Sequence, residues 1–151
     1  MIIFIGADHR GFKLKESLKQ FLSNQGYTVT DKGNDHYDET DDYPDFVGAV
    51  AREVTQDPDN RRGILICGSG VGIDVAANKF SRIRSALANN PDQAFSSRND
   101  VDANVLCLAA DFTDEDGAKK IVSVWLQTPF SKEERHKRRL RKINEIELSN
   151  Q

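Results

Sequence analysis

A chain of 151 residues, 38% of them hydrophobic, is long enough to build a single domain (residues 1–151) with a real core, and it holds no apolar run able to span a membrane. Its formal net charge of −3 argues against wholesale nucleic-acid binding. The two cysteines, Cys67 and Cys107, have neither zinc nor thioredoxin spacing and no secretory signal opens the chain, so a cytoplasmic, reducing setting is expected.

In chain order, residues 2–6 form a short apolar run that predicts a first strand, followed by Asp8-His9-Arg10-Gly11. Phe12, Leu14, Leu18, Phe21 and Leu22 recur close to helical spacing over 12–24, and Gly26 is a natural stop. Residues 27–30 alternate as a second strand. Residues 31–42 are polar and acidic, a loop of the size that often carries function. His36, Asp38, Asp41 and Asp42 within it lack the fixed ligand spacing of a metal site, so no metal is expected. Pro44 opens a helix whose core face is Phe46, Val47, Val50 and Val54. Further on, 63–67 predicts a third strand, 83–87 a fourth, 91–99 a polar helix and 104–108 a fifth strand. A helix over 114–126 turns Ile121, Val122, Trp125 and Leu126 inward, and a last helix covers 132–148.

That last helix opens on a basic block. Residues 132–142 carry seven Lys/Arg and two Glu, leaving 14 basic and 22 acidic residues elsewhere. Such a block is ordinarily a solvated helix face, and it can also hold a phosphate. Strands alternating with helices predict an α/β domain with a mainly parallel sheet, on which ligands sit at the carboxyl ends of the strands. That rule puts Asp8, His9 and the loop after Cys67 on one rim.

The stretch that organises the chain is Gly63-Ile-Leu-Ile-Cys67-Gly-Ser-Gly-Val-Gly72 and the helix start behind it. Gly68, Gly70 and Gly72 let the backbone turn sharply and approach a ligand, and their N–H groups with the helix N-terminus make a cradle for negative charge. A thiol beside such a cradle is a reactive pairing. The plainer alternative is a small buried hydrophobe next to a tight turn. The spacing is neither a dinucleotide fingerprint nor a Walker A loop, and Ile73 stands where a tyrosine-phosphatase loop needs arginine.

Taken together and in order, Gly6-Ala-Asp-His-Arg-Gly-Phe12, Asp42-Tyr-Pro-Asp45, the stretch from Cys67 to Lys79, and Glu134-Arg-His-Lys-Arg-Arg139 resemble the ribose-5-phosphate isomerase B and galactose-6-phosphate isomerase family over nearly the whole chain. The resemblance implies a three-layer, Rossmann-like α/β/α sandwich with a parallel five-stranded sheet in the order 2-1-3-5-4, and a C-terminal helix at a dimer interface. It implies a homodimer, or a dimer of dimers, with active sites shared between subunits. It also implies aldose–ketose isomerisation of a sugar phosphate, ribose 5-phosphate to ribulose 5-phosphate first of all, with no metal or organic cofactor.

Isomerisation moves a proton between C1 and C2 through an enediolate, which needs a base near the carbon and donors for the oxyanion. By the resemblance Cys67 is the base, and the backbone from Gly68 through Gly70 and Val71 to Gly72 stabilises the enediolate. Ser69 assists proton movement among the sugar oxygens. Asp8 holds sugar hydroxyls, His9 contacts the phosphate, and Arg135 and Arg139 grip it from the partner subunit, with His136 beside them among the substrate-binding residues. Asp74 is read as an acid of the first helical turn, with a base role as the alternative.

The chain also departs from the family. Where the family has His-Asn-Asp-x-Asn, this chain reads Asp100-Val-Asp-Ala-Asn104, so Asp100 stands in the place of the ring-opening histidine and Val101 replaces an asparagine. The family's Leu-Gly-x-Arg becomes Leu108-Ala-Ala-Asp111. The alternative readings are an isomerase of another pentose or hexose phosphate, or a weakened or non-catalytic sugar-phosphate-binding paralogue.

Overall fold

A computed structural model describes residues Met1–Gln151. Its elements run β1 (Ile2–Ala7), α1 (Phe12–Asn24), β2 (Thr28–Asp31), α2 (Tyr43–Gln56), β3 (Arg61–Cys67), α3 (Val71–Ala77), β4 (Ser85–Leu87), α4 (Pro91–Asn99), β5 (Val105–Ala109), α5 (Glu115–Gln127) and α6 (Glu134–Ser149). All strand pairs are parallel, and the sheet order is β2-β1-β3-β5-β4. Order and architecture are those the resemblance implied.

Helices cover both faces because both faces of the central strands are apolar. One core joins Ile3, Ile5, Ile64, Ile66, Leu106 and Leu108 to Leu18 and Leu22 of α1 and to Ile121, Val122 and the fully buried Trp125 of α5. The opposite core joins Phe4, Leu65, Cys67, Val105 and Cys107 to Val47, Val50, Ala51 and Val54 of α2 and to Ile73 and Ala77 of α3. Alternation along β3 thus sends Cys67 to the α2/α3 side.

Several predicted boundaries move for local reasons. The fourth strand starts at Ser85 rather than Ile83, because the Asn104 side chain, not a ladder partner, accepts the Arg84 N–H at 2.9 Å. The last helix starts at Glu134 rather than Lys132, because Lys132 takes a left-handed backbone (φ 58°) that helix cannot continue. The third strand begins two residues earlier than expected, at Arg61, where it pairs with Ile2.

Every helix from α1 to α5 returns antiparallel to the strands, as right-handed crossovers require. The turns that end α3, α4 and α5 therefore gather at the amino-terminal edge of the sheet. The last helix lies across that same edge. Near its start Ser131 N–H donates to Asn99 O at 3.1 Å, and near its end Glu147 Oε1 accepts the Arg82 N–H at 2.9 Å.

Candidate active site

The strand order reverses direction between β1 and β3, so the crevice at their carboxyl ends is the expected ligand position. Cys67 closes β3 there. Its Sγ accepts the Gly70 N–H at 3.1 Å, and the residue is 4% exposed. Gly70 makes this contact from a left-handed backbone (φ 75°), and a Cβ on it would strike Leu87. The N–H groups of Gly68, Ser69 and Gly72 have no hydrogen-bond partner in the chain, while Val71 N–H donates to Ser69 Oγ at 3.3 Å. The helix behind the loop is only seven residues long, so the cradle rests on these loop N–H groups more than on a helix dipole. Tyr43 closes the loop from above, its ring lying where a Cβ on Gly72 would sit.

Asp8 and His9 follow β1 on the same rim. Asp8 Oδ1 accepts the N–H groups of Arg10 and Gly11, each at 3.1 Å, which leaves Oδ2 free. Burial raises the Asp8 carboxyl above its usual range, partly offset by those two N–H donors. His9 Nδ1 stands 2.7 Å from Asp41 Oδ1, and since a carboxylate only accepts, Nδ1 carries the hydrogen and Nε2 is left for the site. The same oxygen accepts the His9 backbone N–H at 3.1 Å. The hydrogen bond to Asp41 holds the imidazole's pKa above its ordinary value.

Asp41 is not among the site residues the sequence predicts, where it stands only in an acidic set without metal-ligand spacing. The structure separates that acidic set: His36 pairs with Asp35, Asp38 with Thr40, and Asp41 alone reaches the rim. The carboxylates of Asp8 and Asp41 and the His9 ring lie within 4.8 Å of one another. Asp41 is held in turn by Asn34 Nδ2 at 3.1 Å, and the Asn34 carbonyl by the fully buried Lys15. The signal that could have found Asp41 is topological: in this strand order the loop after β2 must come beside the end of β1.

The structure keeps a second group of predicted residues away from this rim. Asp100 lies in the turn between α4 and β5, where Asn104 O accepts the Gly63 N–H at the amino end of the β3/β5 pairing. Cys67 lies at the other end, opposite Ala109. Four residues of strand separate these levels, about 13 Å. The turn is rigidly built, with Asp102 taking Arg98 at 2.8 Å and Arg84 at 3.0 Å. His136 is buried (3% exposed), with Nδ1 on Ser131 Oγ at 2.6 Å and Nε2 3.8 Å from Asp100 Oδ1. Arg135 and Arg139 are exposed on α6 at this same edge. Within one chain, then, Cys67, Ser69, Asp8 and His9 come together, and Asp100, Arg135, His136 and Arg139 form a separate cluster. Asp74 belongs to neither, since its carboxylate accepts the Ser85 hydroxyl at 2.7 Å.

A model of the Ribose/Galactose Isomerase family matches residues 3–143. Probable ribose-5-phosphate isomerase B of Mycoplasma genitalium is 41% identical over 141 residues, 93% of this chain and 92% of that protein. Among solved structures, ribose-5-phosphate isomerase B of Clostridium thermocellum superposes with a TM-score of 0.95 at 44% identity, covering all of both chains. The M. genitalium enzyme with bound ribulose 5-phosphate superposes with a TM-score of 0.94 at 40% identity, over 97% of this chain and 95% of that one. The chain belongs to the ribose/galactose isomerase family.

Proposed function

We propose that the chain interconverts ribose 5-phosphate and ribulose 5-phosphate through an enediolate, with Cys67 as the base and a second copy of the chain completing the site. The observation that carries this reading is the seat of Cys67: a sulfur at the switch-point crevice on the Gly70 N–H, ringed by the unpaired N–H groups of Gly68, Ser69 and Gly72. Such a site offers a base and an oxyanion cradle within one loop, the pair that enolisation needs. The ribulose 5-phosphate bound by the M. genitalium relative supports the choice of substrate.

In this mechanism the Cys67 thiolate takes the proton from C2 of the open-chain aldose. The electron pair moves toward the carbonyl oxygen, whose growing charge meets the loop N–H groups. The thiol returns the proton to C1, and Ser69 passes a proton between O1 and O2. Asp8 accepts sugar hydroxyls on its free Oδ2, and His9 Nε2 donates to the phosphate. Arg135 and Arg139 of a partner copy grip the phosphate, because arginine's planar fork suits a tetrahedral oxyanion. Asp100 of that copy faces the ring oxygen, and buried His136 acts through it rather than on the sugar. No metal and no organic cofactor takes part.

Two features support the two-chain site. Asp100 sits about 13 Å of strand away from its own Cys67, and Arg135 and Arg139 lie on the helix that crosses the same edge. Both sheet edges also carry exposed apolar side chains: Val71, Val75 and Phe112 at the carboxyl edge, Val101, Ile143 and Ile146 at the amino edge. Exposed apolar surface of this kind marks contact faces.

Proton NMR in heavy water tests the chemistry. With ribose 5-phosphate, wild-type protein should wash deuterium into C2 of the aldose and C1 of the ketose. Cys67→Ala should slow that exchange by about 10²- to 10⁴-fold, the usual loss for a general base. Exchange surviving in Cys67→Ala near the wild-type rate would exclude the thiol as base, and no exchange in the wild type would exclude the reaction.

A further inference from the structure

The turns at the carboxyl ends of β1, β3, β4 and β5 (8–11, 68–70, 88–90 and 110–114) contain one Lys or Arg, namely Arg10. Its guanidinium lies against the backbone of Gly68, the residue after Cys67, where a Cβ on that glycine would collide with it. Arg10 Nη2 donates to Asp111 Oδ2, and Asp111 is itself tied to the loop, its N–H donating to Gly68 O at 3.0 Å. Arg10, Gly68 and Asp111 thus form one knot joining the ends of three adjacent strands. Nε and Nη1 of Arg10 engage no hydrogen-bond partner in the chain, and the side chain remains 54% exposed. An ordinary surface ion pair contributes little to stability and has no need of a fixed address. This one fixes guanidinium donors against the residue after Cys67, on the turn that also carries Asp8 and His9.

We propose that Arg10 is a substrate-binding residue, that the donors its guanidinium keeps free take oxygens of the sugar's phosphate, and that Asp111 is the positioning residue that holds the guanidinium over the glycine loop. This rests on the sugar-phosphate reading of the site. A guanidinium already tethered by a carboxylate keeps its remaining donors oriented, so little side-chain freedom is lost when an oxyanion binds. Whichever Nη2 hydrogen Asp111 takes, the other lies parallel to Nε–H or to an Nη1–H, and phosphate is the group on such a substrate with charge and oxygens enough to occupy that pair.

The test measures KM for ribose 5-phosphate, kcat, and the competitive inhibition constant of inorganic phosphate. Calorimetric titration of the same proteins with inorganic phosphate runs in parallel and reads binding without turnover. Arg10→Ala should raise KM and the phosphate inhibition constant ten- to a hundred-fold, with kcat changed by less than about threefold. Unphosphorylated ribose should show no such penalty. Asp111→Asn should give a smaller rise of the same kind, which Asp111→Glu reverses. The exchanged pair, Arg10→Asp with Asp111→Arg, should recover most of the phosphate affinity lost in Arg10→Ala. Unchanged phosphate affinity in a folded Arg10→Ala protein would overturn the proposal, as would an equal loss for ribose with and without its phosphate. If the wild type turned over no sugar phosphate, the calorimetric comparison would still decide whether Arg10 holds phosphate, so failure of the isomerase reading and failure of this one remain distinct.

Discussion

At the proposed phosphate end, much turns on the proton that Asp41 helps His9 keep. The imidazole's pKa is raised chiefly by its hydrogen bond to Asp41, and Asp8 adds to the effect while Arg10 opposes it. A raised folded-state pKa means that the interaction is fully present below histidine's ordinary value near 6.5 and is lost as pH climbs through the raised one. KM for ribose 5-phosphate should therefore stay low past pH 6.5 and rise only above that folded pKa. Asp41→Asn removes the carboxylate and should move the rise to lower pH. Profiles taken with the same substrate cancel the phosphate's own ionisation, so superimposable KM curves for the two proteins would count against the pairing as a determinant of binding.

Residues of this kind show the limit of reading from sequence. Cys67, Asp8 and His9 are legible because each ends or closely follows a strand, and strand ends meet at the switch point. Asp41 meets His9 across 32 residues and Arg10 meets Asp111 across 101, and no local pattern announces either pair. His136 reads as part of a basic helix, yet the structure buries it beside Phe130 and Asp100, because a compact imidazole packs where a guanidinium would not.

Among the elements, the turn between α4 and β5 bears most on the proposed handling of the sugar. Its shape comes from Arg98, Asp102 and Asn104: Arg98 donates to Ala103 O at 2.6 Å, and Asn104 Nδ2 donates to Arg82 O at 2.8 Å. Asp100 and Val101 ride on that scaffold with partly open side chains. Opening a furanose needs a group that gives and takes a proton near neutral pH, which histidine does more readily than an ordinary carboxyl. Asp100→His with Val101→Asn should raise the steady-state rate on ribose 5-phosphate while leaving folding stability within about 0.5 kcal/mol, as for most exposed substitutions. A lower rate with stability intact would mean that the Asp100–His136 pair is already the competent ring-opening device.

The same turn shows which elements periodicity can and cannot find. Helices α1 and α4 fall on their expected residues, since regular apolar spacing marks one and Pro91, with the Asn90 side chain capping Gln93 N–H at 2.9 Å, marks the other. The short edge strand β4 begins late because a side chain replaces its first ladder bond. The start of α6 depends on a left-handed lysine, which composition does not reveal.

For the molecule as a whole, the antiparallel return of each helix divides the chain's chemistry between two edges. The carboxyl edge holds the thiol, its cradle, Asp8, His9 and Arg10. The amino edge holds Asp100, the α6 arginines and a cleft of about 630 Å³ lined in part by Val101, Ile143 and Ile146. Neither edge offers both a base and a full phosphate clamp. In the proposed two-fold pairing the amino edge of one copy would face the carboxyl edge of the other, which would join the halves twice and cover apolar side chains at both.

Mixing two impaired variants tests this most directly. Cys67→Ala and Arg135→Ala subunits, exchanged in equal amounts, give mixed dimers in which one site carries both changes and the other carries neither. Since half the dimers are mixed, about a quarter of all sites are intact, and turnover of ribose 5-phosphate should recover toward that fraction of the wild-type rate. Activity no higher than that of the two variants measured separately, with subunit exchange verified by mass spectrometry, would contradict a site built from two chains.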